Sequence, residues 1–459
     1  MNKPVSAVSP LMREVSAYIA GATKRALPKD VAEKGKHHLL DTLASMVSGS
    51  RLLPGKRAIS YVKTLGGAKQ ACVAGTRLVT TAVNAAFANG MFAHADETDG
   101  THYAANMHPG CGAVPAALAM GEREGRDGKS MLRAVVLGYD IGCRVPLAFH
   151  PAAFRAAGHA NQSFGNVFGA AAAAGALAGL DVKRVRHLLS YTAQLASGIR
   201  PFERDSEHTL KAFVFGGMTA HHGVAAATMI ACGFTGVEDT FTGDHNSNFF
   251  SAFSPNPSPE EMVRGLGITY EVMNTQIKNW SVGSPMQAAL TSLFALMKEH
   301  RIRADDVQKL VIRTPDNRVD IVNDSRMADI NMQHLLAVTL LDGSLSFVSA
   351  HDAARMKDRK VIDLKKRIEL VGSAELTAAR PPRQCIMEIT TRDGRQLAHH
   401  TVAAKGSIDN PMTRAEVAGK SLDLMAPIIG IRRAETLIDT IWHVEKIPNV
   451  RALRSLLSA

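Results

Sequence analysis

The chain has 459 residues, of which 46% are hydrophobic and 21% are charged, so it is long enough for two or three domains with large apolar cores. Lysine and arginine outnumber aspartate and glutamate by 53 to 42, which gives a formal net charge of +11. The basic residues are dispersed along the sequence, so we expect no nucleic-acid partner, and a small anionic substrate explains the positive charge equally well.

Cysteine spacing and hydropathy indicate the cellular compartment. The five cysteines are far apart, odd in number and without a CxxC pair, which argues against a disulfide framework or a zinc knuckle and suits a reducing cytoplasm. The first ten residues lack the apolar core of a signal peptide. The best membrane candidate, residues 165–180, is shorter than the about 20 residues that cross a bilayer. We therefore expect a cytoplasmic protein with no membrane partner.

The first part of the chain is predicted to be helical. Apolar residues recur at helical spacing over residues 11–27, 31–47, 58–65, 81–92, 114–123, 130–149 and 182–196. Asp30 and Asp181 are the predicted N-caps of two of these helices, and residues 70–74 form a short β-like segment. Residues 169–179 carry small side chains on every face, which predicts a helix at the centre of a bundle. A further helix follows Lys211 and ends near Cys232.

The pattern changes after about residue 263. Residues 309–314, 368–371, 384–391 and 396–403 are predicted strands, and the turn signal Arg392-Asp393-Gly394-Arg395 joins the last two as a hairpin. Helical runs cover residues 285–299 and 333–341, and helices resume over residues 414–425, 432–442 and 450–457. The sequence thus predicts a mainly α protein: a large all-helical domain built from both chain ends, residues 1–263 and 404–459, and a smaller α+β lid domain, residues 264–403.

One stretch, from His94 to His102 and on to His108, concentrates the chemistry. It contains three carboxylates, three imidazoles and two threonine hydroxyls between two apolar segments. Because unpaired buried charge is costly, this stretch either turns on the surface as a solvated loop or lines a cavity, and its density of titratable groups favours the cavity. His102 and His108 with Asp96 or Asp99 could chelate a metal, but the spacing matches no known ligand set, so we expect no metal site.

Other candidates leave two interpretations open. His159 follows Gly158 in a break between helices and is either a structural histidine or a proton-transfer group. Lys211 either faces solvent or contacts a ligand, and the loop that begins at Lys278 and contains Trp280 either binds an anion or serves packing. The chain has no GxGxxG after a strand, no P-loop and no HExxH, which argues against a dinucleotide or phosphate loop and that type of zinc protease.

The motif His94-Ala95-x-x-x-Asp99, Thr101, His108-Pro109 resembles the signature of the MmgE/PrpD family. Further matching elements follow in order along almost the whole chain: Pro115-Ala116-Ala117-Leu118-Ala119, Gly138-Tyr139-Asp140 with Arg144, Gly158-His159, Ser197-Gly198, Lys211, Gly233-Phe234-Thr235-Gly236, Lys278-x-Trp280, Leu341-Asp342-Gly343 and Gly406 with Pro411. The family includes 2-methylcitrate dehydratase, cis-aconitate decarboxylase and iminodisuccinate epimerase. The resemblance implies a helical domain with an α+β lid and a homodimer.

The resemblance also implies the site residues. The catalytic set is His108, His159, Lys211 and Asp99, and the substrate-binding set is Glu97, Thr101, Lys278 and Gln287. We add His102 to the substrate-binding set because it lies in the same acidic loop, six residues before His108. The sequence departs from the family pattern at several of these places. Glu97 replaces an aspartate, Gly100 replaces a second acidic residue, Gln287 replaces a lid histidine, Ile321 falls where the decarboxylase has a tyrosine, and Val214 lies near a frequent histidine. These differences weaken the case for decarboxylation and, to a lesser degree, for dehydration, but not the case for the fold.

The reactions of this family share proton or carbon dioxide transfer at a carbon next to a carboxylate. Such chemistry needs a base that titrates near neutral pH, which histidine supplies, and cations that face the carboxylate. His108 and His159 would serve as base and acid, and Lys211 and Lys278 as carboxylate contacts. We therefore predict a lyase of the hydro-lyase type, without cofactor or metal, for a small di- or tricarboxylate. An epimerase of an amino- or imino-dicarboxylate, a decarboxylase of a cis-aconitate-like substrate and a non-catalytic binding protein are the alternatives.

Overall fold

The computed structural model describes residues 8–243 and 247–459. These residues are mainly helical with a few small sheets, which confirms the predicted fold class. They form two compact units: the first contains the chain up to Ala95, Asp99–Thr275 and Leu424–Ala459, and the second contains Asp96–Thr98 and Gln276–Asp423. The second unit begins later than the predicted residue 264, because Arg144 in the first unit donates hydrogen bonds to the carbonyls of Arg264 (2.7 Å) and Thr269 (3.3 Å).

Helices make up most of the N-terminal part of the first unit. They are α1 Pro10–Gly21, α2 Lys29–Gly49, α3 Leu53–Leu65, α4 Ala82–Ala93, α5 Gly110–Glu124, α6 Gly128–Ala148, α7 Pro151–Ala156, α8 Asn161–Leu177, α9 Val182–Leu195, α10 Thr209–Ala212, α11 Met218–Ala231 and α12 Phe249–Phe253. A π-helical turn, Phe213–Gly217, joins α10 to α11. The strands here are β1 Ala71–Cys72 and β2 Val79–Thr80, which pair antiparallel, and β3 Thr101–His102.

Side-chain caps explain where several of these helices begin. Asp181 accepts a hydrogen bond from the backbone of Arg184 and caps α9, as predicted. The predicted cap at Asp30 is wrong: α2 begins at Lys29, its N-cap is Pro28, and Asp30 lies within the first turn. A carboxylate there still interacts favourably with the positive end of the helix dipole.

Helix α8 is the centre of the first unit, as its small residues predict. Its residues from Ser163 to Leu177 are all buried. A Cβ added at Gly169 would lie 2.4 Å from the carbonyl oxygen of Gly138, and one added at Gly223 would lie 2.6 Å from the nitrogen of Ala171. Glycine therefore allows α6 and α11 to approach the backbone of α8 directly.

The second unit combines helices with one four-stranded sheet. Its elements, after β4 Thr275–Gln276 at the start, are α13 Met286–His300, β5 Val307–Pro315, α14 Val319–Val322, α15 Met332–Asp342, α16 Phe347–Ala350, α17 Arg359–Lys365, β6 Ile368–Ser373, α18 Ala374–Ala378, β7 Cys385–Thr391 and β8 Gln396–Thr401. The sheet order is β6-β5-β7-β8, with β5 parallel to β6 and antiparallel to β7. The predicted hairpin between β7 and β8 is present, and Gly394 in its turn has φ 89°.

The C-terminal helices are α19 Arg414–Ile429, α20 Ile431–Trp442 and α21 Leu453–Leu457. Helices α20 and α21 belong to the first unit, so both chain ends build it. Glu122, a fully buried carboxylate of α5, forms an ion pair with Arg454 of α21 and so links α21 to α5 within this unit. Within the described residues, no helix combines the length and apolar composition that spanning a bilayer would need.

Candidate active site

A close backbone contact places the first histidine of the acidic stretch. A Cβ at Gly90 of α4 would lie 2.3 Å from the carbonyl oxygen of Gly216, and one at Gly216 would lie 2.1 Å from that of Gly90. Only glycine at both positions lets the end of α4 rest on the π-helical turn. His94, the C-cap of α4, consequently stacks on Phe215 with ring centroids 4.3 Å apart and planes 20° apart.

Asp99 is a buried carboxylate shared by two imidazoles. Its Oδ1 lies 2.9 Å from Nδ1 of His94 and 3.0 Å from Nδ1 of His108. Burial alone would raise the pKa of Asp99, but the two imidazoles outweigh it and hold that pKa well below its usual value. Because an ionised carboxylate only accepts hydrogen bonds, Nδ1 carries the proton in both rings. This fixes the tautomer and makes Nε2 the basic nitrogen of each neutral ring.

The two histidines differ in access. The His94 side chain is fully buried, whereas 11% of the His108 side chain is exposed. Nε2 of His94 has no hydrogen-bond partner among the described residues, and the fully buried ring offers a ligand no accessible nitrogen. The ionised Asp99 can stabilise a protonated His108. His108 is the member of this group that can exchange a proton with a ligand.

Asn166 of α8 fixes the backbone around His108. Its Nδ2 donates to the carbonyl of His108 at 3.1 Å and to the carbonyl of Phe215 at 2.9 Å. The Cys111 thiol also donates to the His108 carbonyl, at 3.1 Å. A Cβ at Gly112 would approach Asn166 within 2.8 Å, so this position of Asn166 depends on glycine in α5. The base candidate is held by hydrogen bonds on both its ring and its backbone.

Lys211 lies next to the same aromatic ring. Its Nζ is 5.4 Å from the ring centroid of Phe215, and the ring of His108 is 5.7 Å from that centroid. The half-buried Lys211 lies on α10, which follows His208, a residue with a left-handed backbone at φ 59°. The His208 ring is 5.2 Å from that of His94. A non-glycine residue in this conformation costs free energy and is often found at functional sites.

His159 lies in an aromatic setting of its own. Its ring stacks on Phe154 with centroids 4.4 Å apart and meets Phe253 edge-on at 5.9 Å. Burial lowers the pKa of His159, which favours the neutral ring at pH 7. His159 lies two residues before the start of α8. The same helix carries Asn166, which donates to the carbonyl of His108. A joint role of His159 and His108 stays a prediction.

His102 and Thr101 occupy the short strand β3, and both are buried. Nδ1 of His102 accepts from the backbone N–H of Ala105 at 3.0 Å, so the ring proton is on Nε2, which lies 2.9 Å from the carboxylate of Glu271. Both nitrogens of His102 are thus used within the first unit. We interpret His102 as a residue that shapes the loop, and its predicted substrate contact has no support from this geometry.

The second unit holds Glu97 and Lys278 together. The side chain of Lys278 is 2% exposed, its Nζ donates to the carbonyl of Glu97, and it lies 3.6 Å from the carboxylate of Glu97. Lys420, on α19, donates to the carbonyl of Thr98 at 3.1 Å. Two buried lysines therefore hold the segment Asp96–Thr98, which belongs to this unit rather than to that of His94 and Asp99.

Gln287 is saturated by the loop that follows Lys278. Its Oε1 accepts from the N–H groups of Asn279 (3.0 Å) and Trp280 (3.2 Å), and its Nε2 donates to the carbonyls of Trp280 (3.0 Å) and Val282 (3.2 Å). These are all the hydrogen bonds that a glutamine amide can make. Gln287 therefore orients the Lys278 loop, which is a different role from the predicted direct contact with substrate.

A metal could in principle bind near Asp99. Ligand atoms of His94, Asp99 and Cys111 lie within 4.8 Å of one another. Burial, followed by the charge of Asp99, raises the pKa of the Cys111 thiol well above its usual value, which keeps this residue protonated and a poor metal ligand. Nδ1 of His94 is also engaged by Asp99. These donors do not fit a metal site, and independence of metal stays a prediction.

Sequence reasoning missed three residues of this site. His94 was part of the recognised motif, but only the structure shows that its Nδ1 shares the Oδ1 atom of Asp99 with His108. Phe215 and Asn166 look like ordinary helix residues in the sequence. The glycine pair Gly216-Gly217 directly after Phe215 was the available signal, since paired glycines inside a helix indicate a close backbone contact.

Comparison with known proteins matches the chain to two family models. The MmgE/PrpD N-terminal domain model covers residues 13–262, and the MmgE/PrpD C-terminal domain model covers residues 280–446. The chain is 23% identical to the cis-aconitate decarboxylase-like protein oryM of Aspergillus oryzae, over 94% of each chain. It is also 22% identical to a cis-aconitate decarboxylase of Aspergillus terreus, over 99% of this chain and 97% of that protein.

Proposed function

Because the chain belongs to the MmgE/PrpD family, we propose that it is a lyase that removes a proton from a carbon next to a carboxylate of a small di- or tricarboxylate. One observation carries this proposal: Asp99 holds Nδ1 of His108 at 3.0 Å, and His108 is the accessible histidine of the pair. A buried carboxylate behind an imidazole orients the ring and stabilises its protonated form. A histidine oriented in this way is a competent general base near neutral pH.

In the proposed dehydration, Nε2 of His108 takes the proton from the carbon next to the carboxylate. The electron pair of that C–H bond forms the carbon–carbon double bond while the neighbouring C–O bond breaks. The hydroxyl group leaves as water with a proton from the protonated form of His159, which is the minor form at pH 7 because burial lowers the pKa of this ring. Lys211 stabilises the negative charge that develops on the substrate carboxylate, a contribution of about 2–4 kcal/mol for a positioned donor in a dry site.

Base, acid and cation are all side chains of this protein in the proposal, so it requires no cofactor. Lys278 is a second candidate for contact with a substrate carboxylate, on the basis of the family motif. A homodimeric assembly and a cytoplasmic location also stay predictions. Light scattering on the purified protein tests the first of these, since a dimer has twice the mass of the 49.1 kDa chain.

Decarboxylation is the second candidate because the relatives named above are cis-aconitate decarboxylases or similar to them. Ile321 stands where the decarboxylase pattern has a tyrosine, and an isoleucine offers no hydroxyl for that reaction. It lies on α14 and is 48% exposed. Epimerisation would use the same first step without loss of a leaving group.

Product analysis separates these reactions. The purified protein is incubated with 2-methylcitrate, cis-aconitate and iminodisuccinate in turn. Dehydration gives an alkene that absorbs in the ultraviolet, decarboxylation releases carbon dioxide, and epimerisation in deuterium oxide inverts and labels the α-carbon. We expect alkene formation or its reversal, and at least a 100-fold loss in the His108→Asn variant. Carbon dioxide as the main product would favour the second candidate, and turnover unaffected by the variant would refute the role of His108.

A further inference from the structure

A buried histidine in the second unit pairs with the acidic stretch. His351 is the C-cap of α16, and its Nδ1 lies 2.8 Å from the carbonyl oxygen of Phe347. Its Nε2 lies 2.9 Å from Oδ2 of Asp96, and the side chains are 14% and 4% exposed. Asp96 also accepts from the backbone N–H of Thr98 at 2.9 Å and from its hydroxyl at 2.7 Å. His351 lies outside the family motif that the sequence displayed.

The geometry indicates that His351 is an imidazolium. Nδ1 donates to a carbonyl oxygen, and Nε2 lies 2.9 Å from a carboxylate oxygen, although it is not aligned for a hydrogen bond. The negative charge of Asp96 at this distance favours a proton on both nitrogens. Burial of the ring lowers its pKa, but Asp96 and then Asp329 outweigh this effect and raise the pKa of His351 to about 9. His351 and Asp96 therefore form a buried ion pair across neutral pH.

Charged groups from each neighbouring element face this pair. The segment Asp96–Thr98 contributes Asp96 and Glu97, the loop before α15 contributes Asp329, and α19 contributes Asp423. Burial, with further raising effects from Asp96 and Glu97, brings the pKa of Asp329 to about 6, so Asp329 is mostly ionised at pH 7. The cations next to the same segment are Lys278 and Lys420. In the sequence, the charged residues that follow His351 are Asp352 and Arg355.

We propose that His351 is a positioning residue, which fixes Asp96 and so keeps Glu97 and Lys278 in the arrangement that contacts a substrate carboxylate. Asp96 and Glu97 are adjacent, and both the carbonyl and the carboxylate of Glu97 face Nζ of Lys278. Any shift of Asp96 therefore moves the groups that hold the lysine. The proposal deepens the proposed function and rests on it, because it assumes that Lys278 binds substrate.

The kinetic test compares His351→Gln, Asp96→Asn, the double variant and His351→Lys. A lysine cation that moves by about 1 Å loses much of its effect, so we expect kcat/KM to fall about 10- to 100-fold in His351→Gln, mainly through KM. The double variant removes both charges and leaves no buried unpaired ion, so its loss should be no larger than that of either single variant. His351→Lys should restore part of the activity. His300→Gln, a half-exposed histidine of the same unit, is the control.

The pH profile gives a readout that a merely structural role would not change. Because the pKa of His351 is raised to about 9, its pairing with Asp96 is complete below the ordinary histidine value of about 6.5 and is lost as the pH rises through about 9. KM of the wild type should therefore rise above pH 9, and this rise should be absent from His351→Gln and displaced to higher pH in His351→Lys. Additive losses in the double variant, or an unchanged profile in His351→Gln, would overturn the proposal.

Nitrogen-15 NMR of histidine-labelled full-length protein tests the ion pair without any activity measurement. The signal that disappears in His351→Gln identifies His351. It should show two protonated nitrogens at pH 7.5, titrate near pH 9, and titrate at least one pH unit lower in Asp96→Asn. Titration near 6.5 in the wild type would overturn the proposal. If the ion pair is present but the wild type turns over no carboxylate, the proposed function fails. If the wild type is active and His351→Gln has the same kcat/KM, only the positioning role is refuted.

Discussion

Replacement of Asp99 by asparagine tests the proposed base most specifically. In the wild type, His94 and His108 both donate to one oxygen of Asp99, at 2.9 and 3.0 Å. Asparagine keeps the shape of the side chain, but its amide is neutral and carries N–H donors on one side. If the amide nitrogen takes the place of Oδ1, it faces both Nδ1 atoms as a donor and forces the ring protons to Nε2, which is the wrong tautomer for a base. If the amide oxygen takes that place, it keeps the tautomer but is only a neutral acceptor. The negative charge that stabilises a protonated His108 is also lost.

The expected loss follows from these two effects. A positioned general base contributes about 100- to 10,000-fold in rate, and each tenfold corresponds to about 1.36 kcal/mol. We therefore expect kcat/KM of Asp99→Asn to fall at least about 100-fold, or about 2.7 kcal/mol, between pH 6 and 8. The measurement is steady-state kinetics across this pH range, with circular dichroism to verify that the variant is folded.

Asp140→Asn is the matched control. Asp140 is another fully buried carboxylate of the first unit, and it pairs with Arg144 at 3.2 Å and accepts from the hydroxyl of Tyr18 at 2.9 Å. Its replacement should lower the melting temperature while the folded variant keeps kcat/KM within about threefold of the wild type. Equal losses in the two variants, or an Asp99→Asn variant within fivefold of the wild type, would refute the reasoning.

Three further predictions concern other parts of the site. Lys211→Ala should lower kcat/KM about 30- to 1000-fold with an unchanged fold, as a contact worth about 2–4 kcal/mol implies, whereas a solvent-facing lysine would give wild-type kinetics within twofold. Gln287→Ala breaks four hydrogen bonds that shape the Lys278 loop, so KM should rise more than kcat falls, and thermal unfolding should show a loss of about 2–4 kcal/mol. Prolonged treatment with a chelator should leave the rate unchanged, and a loss restored by a divalent ion would contradict this.

The sequence predicted the helical framework and the hairpin well because their signals are local. Residues 169–179 have small side chains on all faces, and such a helix can lie only where several neighbours approach closely, as α8 does. The strand and turn residues of β7 and β8 likewise specify their own pairing. The prediction of Asp30 as the cap was wrong because α2 begins at Lys29, directly after its N-cap Pro28, so Asp30 lies inside the helix.

Contacts between distant segments were beyond sequence reasoning. The nine residues from His94 to His102 form one motif in the sequence, yet Asp96–Thr98 belongs to a different compact unit from His94 and Asp99. Nothing in the local pattern indicates that His351, more than 250 residues later, faces Asp96. The sequence also offered no reason for Gln287, where the family pattern has a histidine. Its four hydrogen bonds to the backbone of the Lys278 loop provide one.

Hydrogen exchange at the substrate carbon tests the central claim, that His108 oriented by Asp99 removes a proton next to a carboxylate. Proton NMR follows 2-methylcitrate or cis-aconitate in deuterium oxide with wild-type enzyme, His108→Asn and Asp99→Asn. We expect deuterium at the carbon next to the carboxylate with the wild type and a rate at least about 100-fold lower with either variant, although both remain folded. Incorporation by His108→Asn at the wild-type rate would contradict it.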